Sequence, residues 1–256
     1  MLMKILFAMG GVILTSSLGP ISAQTSIPAT TPAPPLPPPP ALSAAPTVPK
    51  PVIFHPPGGF SGGFLPNRIG GGSRGDKADG LFVQALVPDG IALTSQAQPS
   101  LYFRQTQPAK EPCEVTIIES KSHAPVFMRM APPTSAGIHP IRLAKLNVQL
   151  KPDIVYRWNV AIIIDPQNRS QDVMADGYIE RRDAPADLVR QLSQTPDQDK
   201  PALYAENGFW YDALQSLSDQ IDRDPKNVPL RHERDHLLQQ VDLGRAKTDA
   251  GPSKSP

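Results

Sequence analysis

Apolar positions along this chain fall into three successive patterns, each predicting a different kind of structure. An unbroken apolar run covers residues 5–14 behind one basic residue, Lys4; short runs cut by turn residues fill 80–182; helical spacing takes over beyond Asp183. In the middle region, residues 81–87 stop at Pro88-Asp89-Gly90, residues 101–105 stop before Pro108, and residues 115–118 end near Lys121-Ser122-His123. Residues 125–130 meet Pro132-Pro133, residues 141–148 are a weaker strand, residues 154–164 end at Asp165-Pro166, and residues 174–181 supply a seventh. In the longest, Tyr156, Trp158, Val160 and Ile162 alternate with Val155, Arg157 and Asn159, so the first set faces a core. No helical run long enough for a crossover separates these strands, which excludes βαβ units. The pattern predicts a mainly β fold: an antiparallel immunoglobulin-like sandwich over 80–182 with a small C-terminal α-helical appendage over 183–244.

Residues 185–192 predict a short first helix. Phe209, Trp210, Ala213, Leu214, Leu217 and Ile221 then recur on one helical face, capped at Asn207 or Gly208 and ended by Asp224-Pro225. Leu230, Leu237, Leu238 and Val241 mark a further amphipathic helix stopped by Gly244, and a disordered tail is expected over 245–256. Trp210 lies on the apolar arc and reads as core. Tyr211 falls outside that arc and reads as a surface residue.

Small residues close the apolar head over 16–23, the layout of a secretory signal peptide cleaved near Ala23. The chain therefore reads as periplasmic or secreted, the alternative being an uncleaved N-terminal anchor. Neither this run nor any later one is long enough to span a bilayer, so the mature chain is expected to have no transmembrane segment. Thirteen of the thirty residues from Pro28 to Pro57 are proline, which predicts a polyproline tether over 24–57 that packs into no core. Residues 58–79 follow as a glycine-rich loop wrapping onto a sheet edge, with Arg68 and Arg74 as its cationic side chains. The loop lacks the Lys-Ser/Thr end of a nucleotide-binding loop and precedes a strand, not a helix.

Lys and Arg number 25 against 24 Asp and Glu, and loss of Lys4 with the head leaves 24 of each. A near-neutral mature chain lacks the concentrated basic surface that nucleic-acid binding needs. Cys113 is the sole cysteine, so the fold holds no intrachain disulfide; its place at a strand start predicts a buried thiol.

The sharpest catalytic lead is His232-Glu233-Arg234-Asp235-His236, whose histidines share a helix face as a zinc-dependent metallopeptidase requires. Yet on a helical wheel both histidines lie opposite Leu237, Leu238 and Val241, and no histidine or glutamate follows to complete the ligands. No Gly-x-Ser-x-Gly elbow occurs, and Asp165, Asp172 and Asp176 do not follow the spacing of an EF-hand loop. No catalytic residue, metal or other cofactor is therefore expected, and the metallopeptidase stays as the alternative. The expected partner is an envelope or extracellular protein or glycan, with Arg68, Arg74, Trp210 and Tyr211 as candidate contacts.

An ordered series of short motifs resembles a known family. It runs from Leu65-Pro66-Asn67-Arg68 with Arg74, through Ala85-Leu86-Val87-Pro88, Leu93-Thr94, Pro99-Ser100-Leu101-Tyr102-Phe103 and Tyr156-Arg157-Trp158. It continues with Arg169-Ser170, Asp176-Gly177-Tyr178-Ile179-Glu180-Arg181-Arg182, Gly208-Phe209-Trp210-Tyr211-Asp212-Ala213-Leu214 and Leu237-Leu238. Over residues 64–243 this is similar to the exported, mainly cyanobacterial family known as domain of unknown function 928. The resemblance implies export and a shared fold and transfers no activity. Members often carry a cysteine just before the Arg-Ser step, where this chain has Ile164-Asp165-Pro166, and the departure argues against a redox or metal role there.

Overall fold

The computed structural model describes residues 50–58, 68–71, 80–120 and 125–243, all within one compact unit, Thr47–Pro256. Among the described residues, nine strands form two sheets. The four-stranded sheet has the order β1-β2-β4-β7, from β1 (Ile69–Gly71), β2 (Phe82–Ala85), β4 (Ser100–Gln105) and β7 (Gly137–Arg142). The five-stranded sheet has the order β3-β9-β8-β5-β6, from β3 (Ile91–Thr94), β9 (Val173–Arg181), β8 (Val155–Ile162), β5 (Cys113–Glu119) and β6 (Pro125–Met130). All pairings are antiparallel except one. β3 runs parallel to β9, with Ile91 opposite Tyr178 and Thr94 opposite Arg181, which corrects the all-antiparallel expectation.

Alternation decides which face each strand buries. On β8, Tyr156, Trp158, Val160 and Ile162 are buried, as the sequence predicts, and their cross-strand partners Ile117, Val115, Cys113, Ala175 and Val173 point the same way. These side chains share one core with Val83, Ala85, Leu101, Phe103 and Ile141 of the other sheet. At Gly177 the segment just after β2 comes so close to the five-stranded sheet that a Cβ would meet a Val87 methyl at 2.9 Å, and the Nε1 of its cross-strand neighbour Trp158 at 3.0 Å. A side chain at this position would push the layers apart.

Among the described residues four α-helices follow: α1 (Ala186–Gln194), α2 (Lys200–Glu206), α3 (Trp210–Arg223) and α4 (Val228–Gln239). They are integral to the fold and not an appendage. Trp210, Leu214, Leu217, Leu237 and Leu238 belong to the same core as both sheets. The pair α3–α4 covers the outer face of the four-stranded sheet: the Ser100 amide donates to Gln215, Arg142 pairs with Asp219 and Asp222, and Arg104 donates to the Leu243 carbonyl. Helices α1 and α2 cover the β3 end of the other sheet through Leu93, Leu188, Leu203 and Phe209. In the first turn of α3, buried Asp212 accepts from the Ser95 amide and hydroxyl, tying the helix to the loop after β3. Burial pushes its carboxyl up against the pull of those donors.

The end of the proline-rich tract departs from the tether expectation. Val52 and Phe54 are buried in the core, and Phe54 packs edge-on against Trp210 with ring centroids 4.9 Å apart. Side chains of α4 and of its C-cap, Gln240, read the backbone of this strap. Gln240 donates to the Val52 carbonyl at 2.7 Å and accepts from the Phe54 amide at 2.8 Å, while Glu233 accepts from the Val52 amide at 3.3 Å. Gly208, at φ +80°, lets the strap approach: a Cβ there would sit 3.2 Å from the His55 carbonyl oxygen. Three apolar residues in a row, Val52-Ile53-Phe54, supply burial that polyproline alone lacks.

Candidate functional site

The candidate contacts drawn from the sequence do not converge on one site. Tyr211 is fully buried, correcting its assignment to the surface: α3 begins wedged into the core, so burial extends beyond the arc its later turns define. Its hydroxyl accepts from Trp158 Nε1 at 2.8 Å and donates to the Tyr178 carbonyl at 3.0 Å, and burial pushes its pKa up. Trp210 is core, as its place on the arc predicts, and donates to the Leu86 carbonyl at 2.9 Å. Arg68 is also committed internally. It donates to the Val241 carbonyl at 2.9 Å and pairs with Asp89 at 3.2 Å, joining the strand edge to the end of α4. Arg74 lies outside the described residues, as do the signal-peptide segment, the tract up to residue 49 and the tail from residue 244.

His232 and His236 are exposed on α4, opposite its buried leucines, and Glu233 is bound to the strap. No group of three or more His, Cys, Asp or Glu side chains is arranged to hold a metal among the described residues.

Helices cover the outside of the four-stranded sheet and the β3 end of the five-stranded one. Among the described residues, the outer face of β5, β8 and β9 carries no helix. A depression of about 290 Å³ lies on it, lined by Glu114, Thr116 and Ile118 of β5, Arg157, Asn159 and Ala161 of β8, Met174 of β9, and Arg169 from the loop before β9. The register builds this surface: Glu114 stands opposite Ala161 and Ala161 opposite Met174, while Thr116 stands opposite Asn159 and Asn159 opposite Asp176.

Two arginines form the rim, and buried carboxylates hold both. Arg157 donates through Nε and Nη2 to the two oxygens of Asp176, each at 3.1 Å. Arg169 donates through Nε to Asp172 at 2.6 Å and through Nη2 to Glu114 at 3.1 Å. The arginine side chains are 51% and 48% exposed, whereas Asp176 and Asp172 are 4% and 1% exposed, so the surface presents guanidinium edges above hidden acids. These bonds raise the pKa of both arginines above the ordinary value. Behind Arg169, the second oxygen of Asp172 is buried and has no partner among the described residues. On the floor, the side chains of Thr116 and Asn159 make no hydrogen bond among the described residues.

A larger hollow, about 590 Å³, lies beside the strap between Phe54, Pro56, Pro57, Pro88, Ile91 and Val241. Two of its polar groups are already spent, Gln240 on the strap backbone and Asp89 on Arg68. The sheet-face depression is smaller but keeps polar groups free for a ligand. Sequence alternation marks Arg157 and Asn159 as outward-facing; which outward face the helices leave bare depends on long-range packing that no local pattern carries.

Comparison with known proteins gives a family and little else. The profile described as Domain of Unknown Function (DUF928) matches residues 69–250. The solved structure of the fn3 domain of the human collagen alpha-1(XX) chain is similar at 10% identity, covering 41% of this chain and 81% of that domain with a TM-score of 0.25. That similarity is too slight to assign a topology. No curated protein matches the chain. Among the described residues, no helix is long and apolar enough to cross a membrane.

Proposed function

Starting from a chain that belongs to the DUF928 family, we propose a non-enzymatic binding module of the cell envelope or extracellular space that recognises a protein or glycan through the bare face of its five-stranded sheet. The observation that carries this reading is the rim of that face, where Arg157 and Arg169 are half exposed yet fixed by buried carboxylates. Holding two long cationic side chains rigid at a surface costs conformational entropy and contributes little stability where the pairs meet water. The same rigidity lowers the entropy lost when a partner binds. The apolar head and small-residue close support export with cleavage near Ala23 and a periplasmic or secreted location. The proline-rich residues ahead of the strap suit a spacer that carries the domain away from its point of attachment. An immunoglobulin-like arrangement of the two sheets belongs to the same proposal.

The test is capture from an envelope fraction by the mature chain and by its Met174→Asp variant. Met174 is 38% exposed on the bare face, so a carboxylate there alters the surface without entering the core. Loss of a captured component with the variant is expected. Equal recovery by both proteins would overturn the assignment to this face.

A further inference from the structure

We infer that the depression between Arg157 and Arg169 binds one ring of a neutral, hydroxyl-rich glycan chain, an inference that rests on the reading of this face as a binding surface. Charge is the first reason. The two arginines are outnumbered by the three carboxylates they pair with, Glu114, Asp172 and Asp176, so the depression offers no positive excess to attract a polyanion. Hydrogen-bonding capacity is the second. Arg157 and Arg169 each keep Nη1 outside their internal ion pairs, and the floor adds the Asn159 amide and the Thr116 hydroxyl. Such a surface both donates and accepts, which is what a sugar hydroxyl does.

Shape supplies the third reason. At about 290 Å³ the depression falls at the low end of ligand pockets, which run from roughly 300 to 1,000 Å³ and enclose most of their ligand. An open hollow of this size accommodates one unit of a longer chain. Its floor of Thr116, Asn159 and Ala161 has no deep apolar socket for the aromatic anchors that dominate protein interfaces. Exposed Met174 and half-buried Ile118 give the C–H face of a sugar ring something apolar to lie against.

Fluorescence polarisation of the full mature chain with labelled hexasaccharides tests the inference. The probes are maltohexaose, cellohexaose and the neutral N-acetylglucosamine hexamer, with hexagalacturonate as the acidic comparison. Saturable binding of at least one neutral probe is expected, little changed between about 50 and 500 mM salt because no net charge is neutralised. Asn159→Ala should weaken it roughly tenfold. Asn159 makes no internal side-chain hydrogen bond among the described residues, so the variant should fold, and its near-UV circular dichroism checks that. Should that spectrum change, Met174→Asp replaces it with the same expected loss. Failure of every neutral probe, salt-sensitive binding of hexagalacturonate alone, or binding that neither variant weakens would overturn the inference. If Met174→Asp abolishes envelope capture while all neutral probes fail, the face stands as a binding surface and the glycan is excluded.

Discussion

Trp158 Nε1 donates a hydrogen bond to the Tyr211 hydroxyl at 2.8 Å, and both side chains are completely buried. One residue comes from the middle of β8 and the other from the first turn of α3. Because the hydroxyl also donates to the Tyr178 carbonyl on β9, a single oxygen ties the helix to two strands. The Tyr211→Phe variant keeps the ring and leaves an indole N–H and a carbonyl without partners inside the core. A loss of about 2–3 kcal/mol in urea unfolding is expected, since each unpaired buried group costs about 1–3 kcal/mol. Unchanged stability would mean that the bond contributes nothing.

The strap makes a second prediction. Phe54 is nearly buried against Trp210, so Phe54→Ala should cost about 3 kcal/mol and alter tryptophan fluorescence. Removing residues 1–46 should leave the melting temperature unchanged, because the compact unit begins at Thr47. Removing residues 1–57 should lower it, through loss of Val52, Phe54 and their bonds to Gln240. Equal melting temperatures for the two truncations would show that the strap is dispensable.

These two features mark how far the sequence can be read. The inward set of β8, six of the seven expected strand regions and the two longest helices follow from local periodicity and are present, whereas the region 141–148 holds only the last two residues of β7 before a 3-10 turn over Leu143–Leu146. β3 escapes because all four of its residues are buried, so no alternation marks it, and its parallel partner β9 lies far along the chain. Helix α2 is only seven residues long with a proline in its first turn, too brief for a helical period. The strap hides behind composition, since proline content outweighs the triplet Val52-Ile53-Phe54. Tyr211 escapes the apolar arc because such an arc assumes a helix lying on a surface, and α3 starts inside the core. The bare sheet face follows from where the helices pack, which no window of sequence contains.

Glu233 and His232 separate packing from metal chemistry. Glu233→Ala removes the acceptor for the Val52 amide and should cost about 1 kcal/mol in urea unfolding. His232→Ala, on the exposed side of α4, should change stability by less than about 0.5 kcal/mol. A zinc-organised helix would give the opposite order. Metal analysis of the purified protein adds an independent check, and stoichiometric zinc lost on His232→Ala would restore the peptidase reading.

Cys113 reports on unfolding through its thiol. The side chain is fully buried at the start of β5, and desolvation, with a smaller contribution from Glu114, pushes its pKa from 9.0 to about 12. The thiolate is the reactive form, so a rise of about three on the logarithmic scale leaves about 1,000-fold less of it in the folded protein at pH 8. Alkylation by iodoacetamide should therefore proceed through unfolded molecules, with a rate that rises in step with the unfolded fraction as urea is added. The linked effect on stability has a definite sign. Because the folded state holds the proton more tightly, this group's contribution is complete below pH 9 and declines as pH climbs from 9 toward 12. Cys113→Ser introduces a buried hydroxyl and should cost about 1–3 kcal/mol, while abolishing this part of the alkaline decline. Alkylation in native buffer as fast as that of a free thiol would mean that Cys113 is not held in the core.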